Sequence, residues 1–449
     1  MRSRSAPPAH AGHGWILAAA PSNARRFRVA DPDVADTLRY AGAEIVDAGA
    51  EVELVPAREV RGGALAAAVD LGRSPNDAAH RIVRIADRVT RGAAVSARAP
   101  AASRALRSAG YRTEVVRWDL GGPLRVPGLE PGPLALVQHV PRRALVVGRR
   151  GEGPTLLEAA LEDARAQVPG IAARRPLVRE GLLVVAGGEA ILRLAIGPAT
   201  SELDAQRTTL EALRDVRPPA LLADRIPWPL ARGSTGLASW TAERAVPGSE
   251  PRALAPALRD DCVEFLAALH EAGRRDEPWS SRPDAETVAH FVPDTGTAVR
   301  DLAERVDLTA AMLPCGFAHG DFWSGNVLVD ERGRLAGVID WDAASPSRPP
   351  FLDLLHLLLV DARRPSATTW GRALVEHLVP WCARGGDETS RRYAARVGVP
   401  QSPELLRDLA AGYWLNRAAF QLASWSDRAR RPAWVDANVH APLRAFAVP

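Results

Sequence analysis

The sequence of 449 residues contains no lysine, so arginine supplies all 57 of its basic residues. Against 53 acidic residues this leaves a net charge of only +4, and aromatic residues make up just 5% of the chain. No basic block interleaves with aromatic residues, so nucleic acid is not an expected partner. The abundance of Ala, Arg, Gly and Pro is typical of a high-GC coding bias, which is a sufficient cause of the missing lysine.

Cysteine is almost as scarce, with three residues in the whole chain. Cys262, Cys315 and Cys382 lie far apart, in no C-x-x-C spacing and in no even disulfide framework. This pattern predicts buried or incidental thiols in a reducing cytoplasm, and it disfavours a zinc site.

Long hydrophobic runs are missing too, since none reaches the ~20 apolar residues that a membrane helix needs. The apolar run Trp15–Ala20 follows Arg2 and Arg4, as in a signal peptide, but it is too short for one. We therefore expect a cytoplasmic protein without a membrane partner.

The length of the chain predicts two or three domains. Residues 1–13 are rich in Ser, Pro, Ala and His, and we expect them to be disordered. Residues 14–165 alternate short β-like runs with helical spacing, which predicts an α/β domain. The expected elements are strands at Glu44–Val46, Val52–Val55, Thr113–Val116 and Ala144–Val147 and a helix at Asn76–Arg91.

One stretch of this first domain, from Ala101 through Gly110-Tyr111-Arg112 to Val146-Val147-Gly148, resembles the closing helix and hairpin of class I methyltransferases. The resemblance implies a methyl-donor site, which requires an acidic, glycine-rich loop after a first strand. That loop is absent, because no further glycines follow Asp70-Leu71-Gly72 closely enough to admit a nucleotide. We expect a degenerate accessory domain, with a methyltransferase-like function as the alternative.

Residues 166–248 are predicted to form a β-rich lobe. Two apolar runs, Leu182–Val185 and Ala190–Ile196, flank a Gly-Gly turn and predict a hairpin. A helix from about Ser201 to Asp215 should follow, with Ser201 as its cap, and then a strand over Ala238–Ala245. Residues 249–449 are mostly helical by pattern, with apolar faces over 257–272 and 404–426.

The helical part contains a motif of candidate catalytic residues: His319-Gly320-Asp321, then Asn326, then Ile339-Asp340-Trp341-Asp342. Asp321 and Asn326 have the D-x-x-x-x-N spacing of a kinase catalytic loop. The residues between Asn326 and Asp340 alternate as in a β-hairpin, which would bring these two side chains close together.

Phosphoryl transfer depends on positioning and charge neutralisation, and this cluster provides groups for both. Magnesium takes oxygen ligands and keeps some of its waters, which suits the amide oxygen of Asn326 and the carboxylate of Asp340. Asp321 then remains to orient an acceptor hydroxyl and to take its proton.

The patterns H-G-D-x-x-x-x-N and I-D-W-D resemble those of the aminoglycoside phosphotransferase family, over about residues 170–430. The resemblance implies an α+β, bilobal protein-kinase-like fold, preceded here by the α/β domain. It also implies Asp321 as the catalytic base and Asn326 and Asp340 as magnesium ligands. For His319 we expect a loop-orienting hydrogen bond rather than direct catalysis. Pro350–Leu354 resembles the family's next segment, in which an Asp supports the site.

The β-rich lobe departs from that family. Where the family has a strand Lys that grips the nucleotide phosphates and pairs with a helix Glu, this chain offers Arg193 and Gln206, with Glu202 one turn earlier. There is also no G-x-G-x-x-G loop. Arginine keeps the charge but is not interchangeable with lysine. The changes are consistent with a rebuilt nucleotide site and equally with a decayed one.

Two functions of different classes follow. The first is an ATP- and Mg2+-dependent kinase, with GTP not excluded, that phosphorylates a hydroxyl of a small molecule such as an aminoglycoside, a sugar or an amino alcohol. Glu243 and Ala245, at the end of the last strand, are its candidate adenine contacts. The alternative is a catalytically weak pseudokinase that binds a ligand or partner through the fold. The acceptor and the oligomeric state stay open.

Overall fold

The computed structural model describes residues 20–54, 66–70, 112–118, 143–149, 153–169, 177–179, 182–187, 189–276, 278–363, 368–424 and 426–447, with single positions at 16, 104, 106–107 and 171. These residues divide into two compact units. The sheet unit comprises the described residues of 10–204 and 229–245, and the helical unit those of 205–228 and 246–449.

The sheet unit begins with a six-stranded sheet. Its strands are β1 (Arg26–Val29), β2 (Glu44–Ile45), β3 (Val52–Leu54), β4 (Ala66–Asp70), β5 (Arg112–Trp118) and β6 (Arg143–Arg149), with helix α1 (Pro32–Tyr40) after β1. The strand order is β2-β1-β3-β4-β6-β5. The first four strands are parallel, whereas β6 pairs antiparallel with both β4 and β5.

Four of these strands confirm the sequence predictions, and two were missed. β1 is a short Arg-Phe-Arg-Val run, and β4 is rich in alanine, a residue with low strand propensity. The predicted helix at 76–91, the predicted disorder at 1–13 and the sequence Leu71-Gly72 lie outside the described residues. The methyltransferase resemblance stays a prediction.

A second, five-stranded sheet follows helix α2 (Leu156–Gln167). Its strands are β7 (Leu177–Arg179), β8 (Leu182–Gly187), β9 (Ala190–Ile196), β10 (Pro229–Thr235) and β11 (Ala238–Arg244), in the order β10-β11-β9-β8-β7. Every neighbouring pair is antiparallel, which confirms the predicted β8–β9 hairpin. β10 was missed, because its Pro, Gly and Ser residues give little strand signal.

Helix α2 packs on this second sheet. Thr155 and Glu158 form a reciprocal capping box at its start. Further along the helix, Asp163 accepts a 3.0 Å hydrogen bond from the indole nitrogen of Trp240, a side chain only 1% exposed. Phe27, Leu156 and Leu194 belong to the same apolar cluster as Trp240, so one core joins α2 to both sheets.

Helix α3 (Ala199–Asp215) begins two residues earlier than predicted, so Ser201 is not its cap. Gly197 ends β9 with φ +66°, a backbone conformation that glycine adopts readily, and its carbonyl accepts from the Thr200 hydroxyl at 2.7 Å. The Ser201 hydroxyl lies 3.2 Å from that of Tyr40 instead. The short helix α4 (Ala220–Ala223) follows.

The helical unit contains the remaining elements. They are α5 (Pro256–Ala272), α6 (Arg282–Phe291), α7 (Gly296–Ala310), β12 (Gly316–Ala318), β13 (Val327–Val329), β14 (Leu335–Val338), β15 (Ser345–Arg348), α8 (Leu352–Arg363), α9 (Trp370–Ala373), α10 (Val379–Ala383), α11 (Glu388–Val397), α12 (Pro403–Ser424), α13 (Pro432–Val435) and α14 (Ala441–Ala447). Strand β12 pairs with β15, and β13 pairs with β14. The two long helices predicted from apolar faces, α5 and α12, are confirmed.

The core of this unit reaches the loop that carries the motif. Phe322 stacks on Phe265 of α5 with ring centroids 5.9 Å apart, and Trp341 meets the same ring edge-on at 6.4 Å. All three side chains are almost fully buried. Truncation of a buried aromatic side chain costs more stability than that of most other core residues, so these contacts anchor the loop firmly.

The three cysteines are free and buried, which confirms the prediction for them. Burial raises the pKa of the Cys262 and Cys382 thiols to about 12. Within the described part of the chain, no helix combines the length and the apolar character that a membrane span requires.

Candidate active site

The motif loop joins β12 to β13 and turns at Gly320. This glycine has φ +80°, and a Cβ atom there would lie 2.1 Å from the backbone oxygen of Ala343. Both the backbone conformation and the lack of space therefore require glycine between His319 and Asp321.

His319 is fully buried and uses both ring nitrogens inside the loop region. Its Nε2 lies 2.9 Å from the carbonyl oxygen of Ile339, and its Nδ1 lies 3.3 Å from the amide nitrogen of Asp321. The ring also packs against Trp341, with centroids 4.7 Å apart. This is the geometry of a loop-orienting residue. The loop-orienting role that we expected of His319, in preference to direct catalysis, stays a prediction.

Asp353, in the first turn of α8, supports the motif loop through hydrogen bonds to its backbone. Its carboxylate accepts from the amide of His319 at 2.6 Å and from the amide of Gly320 at 2.8 Å. A carboxylate that accepts two backbone N–H groups fixes the path of the chain and satisfies donors that burial would otherwise leave unpaired. The supporting Asp that the family resemblance implied is therefore in place.

Asn326 lies five residues after Asp321 and folds back onto it. Its Nδ2 donates to the backbone oxygen of Asp321 at 2.9 Å and to the Oδ2 atom of Asp321 at 3.2 Å. Since the nitrogen end of the amide is committed to Asp321, its oxygen end is the one that suits a metal ion.

The β13–β14 hairpin brings the second predicted metal ligand to the same place. Val327 pairs with Val338, and the amide of Ile339 donates to the carbonyl oxygen of Asn326 at 2.9 Å. Asp340 is the next residue and has φ +62°, a left-handed conformation that Asp tolerates better than most residues. The prediction that this hairpin places Asn326 beside Asp340 is confirmed at the level of the backbone.

Among the residues that the structure describes, Asp321 has three side-chain partners. The Oδ1 atom lies 2.9 Å from Nη1 of Arg417 and 3.1 Å from Nε2 of His356, and Oδ2 accepts from Asn326. Burial alone would raise the pKa of the carboxyl group. The hydrogen bond from His356 and the positive charge of Arg417 outweigh burial, so the pKa of Asp321 lies well below its ordinary value.

His356 and Arg417 are the functional residues that sequence reasoning missed. His356 lies in α8, one turn after Asp353, and Arg417 lies in α12. The three-residue spacing from Asp353 to His356 is the one signal that could have indicated His356, because it puts both side chains on one helix face. Nothing in the local pattern of α12 distinguishes Arg417 from a solvated arginine.

Behind His356 lie two further buried groups. Its Nδ1 is 2.7 Å from the hydroxyl oxygen of Tyr413, and the indole nitrogen of Trp370 donates to that same oxygen at 3.3 Å. Burial lowers the pKa of His356 below its ordinary value, and the nearby charge of Arg417 acts in the same direction, against the hydrogen bond to Asp321.

The side chains of the site could provide only some of the ligands that a metal ion needs. Among the described residues, no group of three or more His, Cys, Asp or Glu side chains could enclose an ion by itself. Asn326 and Asp340 stay the predicted metal ligands. Two oxygen ligands would be enough for Mg2+, because that ion keeps several waters and takes substrate phosphate oxygens in place of further side chains.

The strand residues predicted for nucleotide binding lie in the sheet unit. The Nε atom of Arg193 in β9 donates to Oε2 of Glu243 in β11 at 3.1 Å, and the two side chains are only 8% and 3% exposed. The sequence predicts phosphate, Gln206 or Glu202 beside this arginine, and those contacts stay predictions. The ion pair with a carboxylate of the neighbouring strand is a further finding that sequence reasoning missed.

The two other residues predicted for the nucleotide are placed as follows. Gln206 is buried in α3, and the amide of Ala245 donates to the carbonyl oxygen of Glu189 at 2.8 Å. Contacts of Glu243 and Ala245 with adenine stay predictions, as does a nucleotide role for Gln206. The register explains the pair that was missed, since Arg193 lies opposite Thr241 and Glu243 is its diagonal neighbour.

Three acidic residues of the helical unit have structural partners. Asp387 caps α11, Asp408 pairs with Arg305 at 2.9 Å, and Asp436 pairs with Arg444 at 3.2 Å. These carboxylates stabilise helix ends and helix contacts, so they do not indicate an aminoglycoside site.

Comparison with known families gives one match. Residues 181–396 match the model of the phosphotransferase enzyme family, and this segment includes both Arg193 and the whole motif loop. No curated protein matches the chain.

Several solved structures share a weak likeness with the chain. Aminoglycoside phosphotransferase APH(3'')-Id from Streptomyces rimosus is 20% identical, with a TM-score of 0.39 over 57% of this chain and 97% of that one. The GDP complex of aminoglycoside 2'-phosphotransferase-IIIa is 17% identical, with a TM-score of 0.40 over 63% and 96%. Spectinomycin phosphotransferase APH(9)-Ia, with ADP and its antibiotic, is 13% identical, with a TM-score of 0.38 over 64% and 92%. At these scores the likenesses carry no argument about substrate.

Proposed function

We propose that this protein is a small-molecule kinase that moves the γ-phosphate of ATP onto a hydroxyl group of its substrate, because residues 181–396 match the model of the phosphotransferase enzyme family. Aminoglycosides, sugars and amino alcohols are the acceptor classes to test, and GTP is the alternative donor. The observation that carries the proposal is the ionised Asp321 carboxylate, held by Arg417 and His356 beside Asn326.

Asp321 acts on the acceptor. In the transfer, the hydroxyl oxygen forms a bond to the γ-phosphorus while the bond from that phosphorus to the β–γ bridging oxygen breaks, and ADP leaves. The hydroxyl proton passes to Asp321. Since the transition state of phosphoryl transfer is loose, a weakly basic carboxylate is sufficient, and its main contribution is to orient the hydroxyl in line.

Asn326 and Asp340 would hold Mg2+, which neutralises phosphate charge when bound. The amide oxygen and the carboxylate are hard ligands, and the hairpin sets them next to each other on its backbone. In the sheet unit, Arg193 is proposed to contact the nucleotide phosphates and Glu243 to keep the guanidinium in position. This pair would replace the strand Lys and helix Glu of other kinases.

The second candidate is a protein that binds a ligand or partner through the fold and transfers phosphate weakly. One observation favours it: the Arg193 side chain is 8% exposed and ion-paired to Glu243, as a purely structural arginine would be. The two candidates differ in what the protein does with nucleotide.

Thermal-shift measurement with ATP, GTP and ADP, each with and without Mg2+, tests nucleotide binding first. Transfer of labelled γ-phosphate to a panel of hydroxyl compounds then tests catalysis, with Asp321→Asn as the inactive reference. We expect a Mg2+-dependent rise in Tm and label on at least one acceptor class. Nucleotide binding without transfer to any acceptor would favour the second candidate, and the absence of both would rule the kinase proposal out.

A further inference from the structure

Three buried side chains from three helices form a hydrogen-bonded line that ends at Asp321. Trp370 of α9 donates to the Tyr413 oxygen at 3.3 Å, that oxygen lies 2.7 Å from Nδ1 of His356, and Nε2 of His356 lies 3.1 Å from Oδ1 of Asp321. Trp370, Tyr413 and His356 are 6%, 2% and 4% exposed, so no bulk water competes for these bonds.

The chemistry of the groups fixes the direction of every proton in this line. An indole nitrogen can only donate, so the Tyr413 oxygen accepts from Trp370. Burial raises the pKa of Tyr413 to about 12, so the phenol keeps its one proton. The acceptor available to that proton is Nδ1 of His356. A neutral imidazole that accepts at Nδ1 carries its proton on Nε2, and it donates that proton to Asp321.

The two oxygens of Asp321 are then unequal. Oδ1 receives two donors, from His356 and from Arg417, whereas the described contacts give Oδ2 one donor, from Asn326. A carboxylate oxygen has two lone pairs for hydrogen bonds. Oδ1 is therefore saturated, and Oδ2 keeps one lone pair for a further donor such as an acceptor hydroxyl.

We infer that Trp370 and Tyr413 are positioning residues that lock His356 in its Nε2-protonated form. His356 is a positioning residue in turn, because it occupies Oδ1 of Asp321 and so directs Oδ2 to the acceptor hydroxyl. The inference rests on the proposed function for the role of Asp321, but not for the hydrogen-bonded line itself. A hydroxyl that approaches one fixed oxygen loses less freedom in the reaction than one that chooses between two.

The first test needs no substrate. The ring nitrogens of His356 in the full-length protein are assigned by 15N NMR, whose shifts distinguish the two neutral tautomers from the charged ring. We expect the Nε2-protonated tautomer in the wild type and a mixture of tautomers in Tyr413→Phe, which lacks the hydroxyl that holds Nδ1. An Nδ1-protonated or charged ring in the wild type would overturn the inference, as would an unchanged tautomer in Tyr413→Phe.

Tyr393→Phe is the matched control for that measurement. Tyr393 is another buried tyrosine of the helical unit, and its hydroxyl lies 3.4 Å from the amide of Phe351 rather than near His356. Loss of its hydroxyl should leave the His356 tautomer unchanged. A change as large as that of Tyr413→Phe would mean that any lost buried hydroxyl disturbs His356, and the specific role of Tyr413 would be withdrawn.

The second test uses turnover. His356→Leu should lower kcat by about 10²-fold with KM within a few-fold, because the acceptor binds but is poorly aligned. His356→Gln carries an amide nitrogen that can take the place of Nε2, so it should recover most of kcat. Equal kcat in the two variants would overturn the positioning role. If His356→Leu fails to fold, the comparison of His356→Gln and Tyr413→Phe with wild type decides instead.

The two tests separate this inference from the proposed function. A wild type that transfers no phosphate to any acceptor would remove the proposed function and yet leave the tautomer measurement readable. Conversely, an active wild type with the wrong tautomer would remove the positioning array and leave the kinase proposal intact.

Discussion

Asp321 in the helical unit and Arg193 in the sheet unit are both charged side chains with ionic partners, but they are held differently. Asp321 is 33% exposed and receives donors from its own loop, from α8 and from α12. Arg193 is 8% exposed and is paired to a carboxylate of the adjacent strand. A partly exposed charge with several donors has room for a ligand, whereas a buried pair chiefly satisfies its own two charges.

The largest expected effect comes from removing the charge of Asp321. Asp321→Asn keeps the shape of the side chain but loses the anion that orients the acceptor, so kcat should fall by about 10²- to 10⁴-fold. Tm should change little, because the neighbouring loop stays anchored by Asp353 and Phe322. Steady-state kinetics with the acceptor found in the panel gives the measurement.

Glu331→Gln is the control for this change, since Glu331 lies exposed in the turn of the β13–β14 hairpin. It should retain wild-type kcat. A kcat for Asp321→Asn equal to that of Glu331→Gln would remove Asp321 from the mechanism and end the contrast between the two regions.

The two regions also differ in how far the sequence predicts them. Asp321 and Asn326 are neighbours because five residues separate them, and the hairpin from Asn326 to Asp340 has a local pattern. The contact between Asp321 and Asn326 and the pairing of β13 with β14 are therefore signalled by local sequence patterns. His356 and Arg417 reach Asp321 through the packing of α8 and α12 against the loop, and helix packing is not encoded in any short window.

The partner of Arg193 illustrates the same limit in a sheet. β9 and β11 are both visible in the sequence, yet the identity of the diagonal neighbour depends on register, and a shift of one residue would place Glu243 on the other face. Glu243 was predicted as an adenine contact because only its position at the strand end was known. Likewise, the missed strands β4 and β10 form through pairing rather than through intrinsic propensity.

Breaking the buried pair should have the second largest effect. Arg193→Met removes the guanidinium that pairs with the buried Glu243 carboxylate, and the loss of one member of a buried pair costs about 3–5 kcal/mol of the free energy of unfolding. The double variant Arg193→Met with Glu243→Met should recover most of that loss. Denaturant unfolding of the three proteins measures both steps.

The exposed pair between Arg300 and Glu286 provides the control, because its side chains are about half exposed. Arg300→Met should leave the unfolding midpoint nearly unchanged. The nucleotide affinity of Arg193→Met, measured well below its Tm, shows whether Arg193 also binds nucleotide. Unchanged affinity would make Arg193 purely structural and strengthen the second candidate function.

Removal of the proposed metal ligands should give a smaller, nucleotide-dependent effect. Asp340→Ala should weaken nucleotide binding in the presence of Mg2+ more than Asn326→Ala does, because the carboxylate carries the charge. Isothermal titration with and without Mg2+ measures the difference. If wild type binds nucleotide equally well in both conditions, these two residues are not metal ligands.

The smallest effect at neutral pH concerns a buried titratable group that has no ionic partner among the described residues. His270 in α5 is 3% exposed, and its Nε2 has no hydrogen-bond partner among the described residues. Burial, with the charge of Arg274 in the same direction, lowers the pKa of His270 to about 4. The unfolded chain takes up this proton near the ordinary pKa of about 6.5, and the folded chain does so only near 4. The unfolded state therefore binds more protons between these values, and stability is full above pH 6.5 and falls as the pH drops towards 4, by about 1.4 kcal/mol for each unit of pKa difference. His270→Gln should flatten the pH dependence of the free energy of unfolding in that window, while His377→Gln, at an exposed position, should leave it as in the wild type. Urea unfolding from pH 4.5 to 7.5 gives the slope of the free energy of unfolding against pH for the wild type and for each of the two variants. A slope for His270→Gln as steep as that of the wild type would show that His270 is solvated or paired in the folded protein.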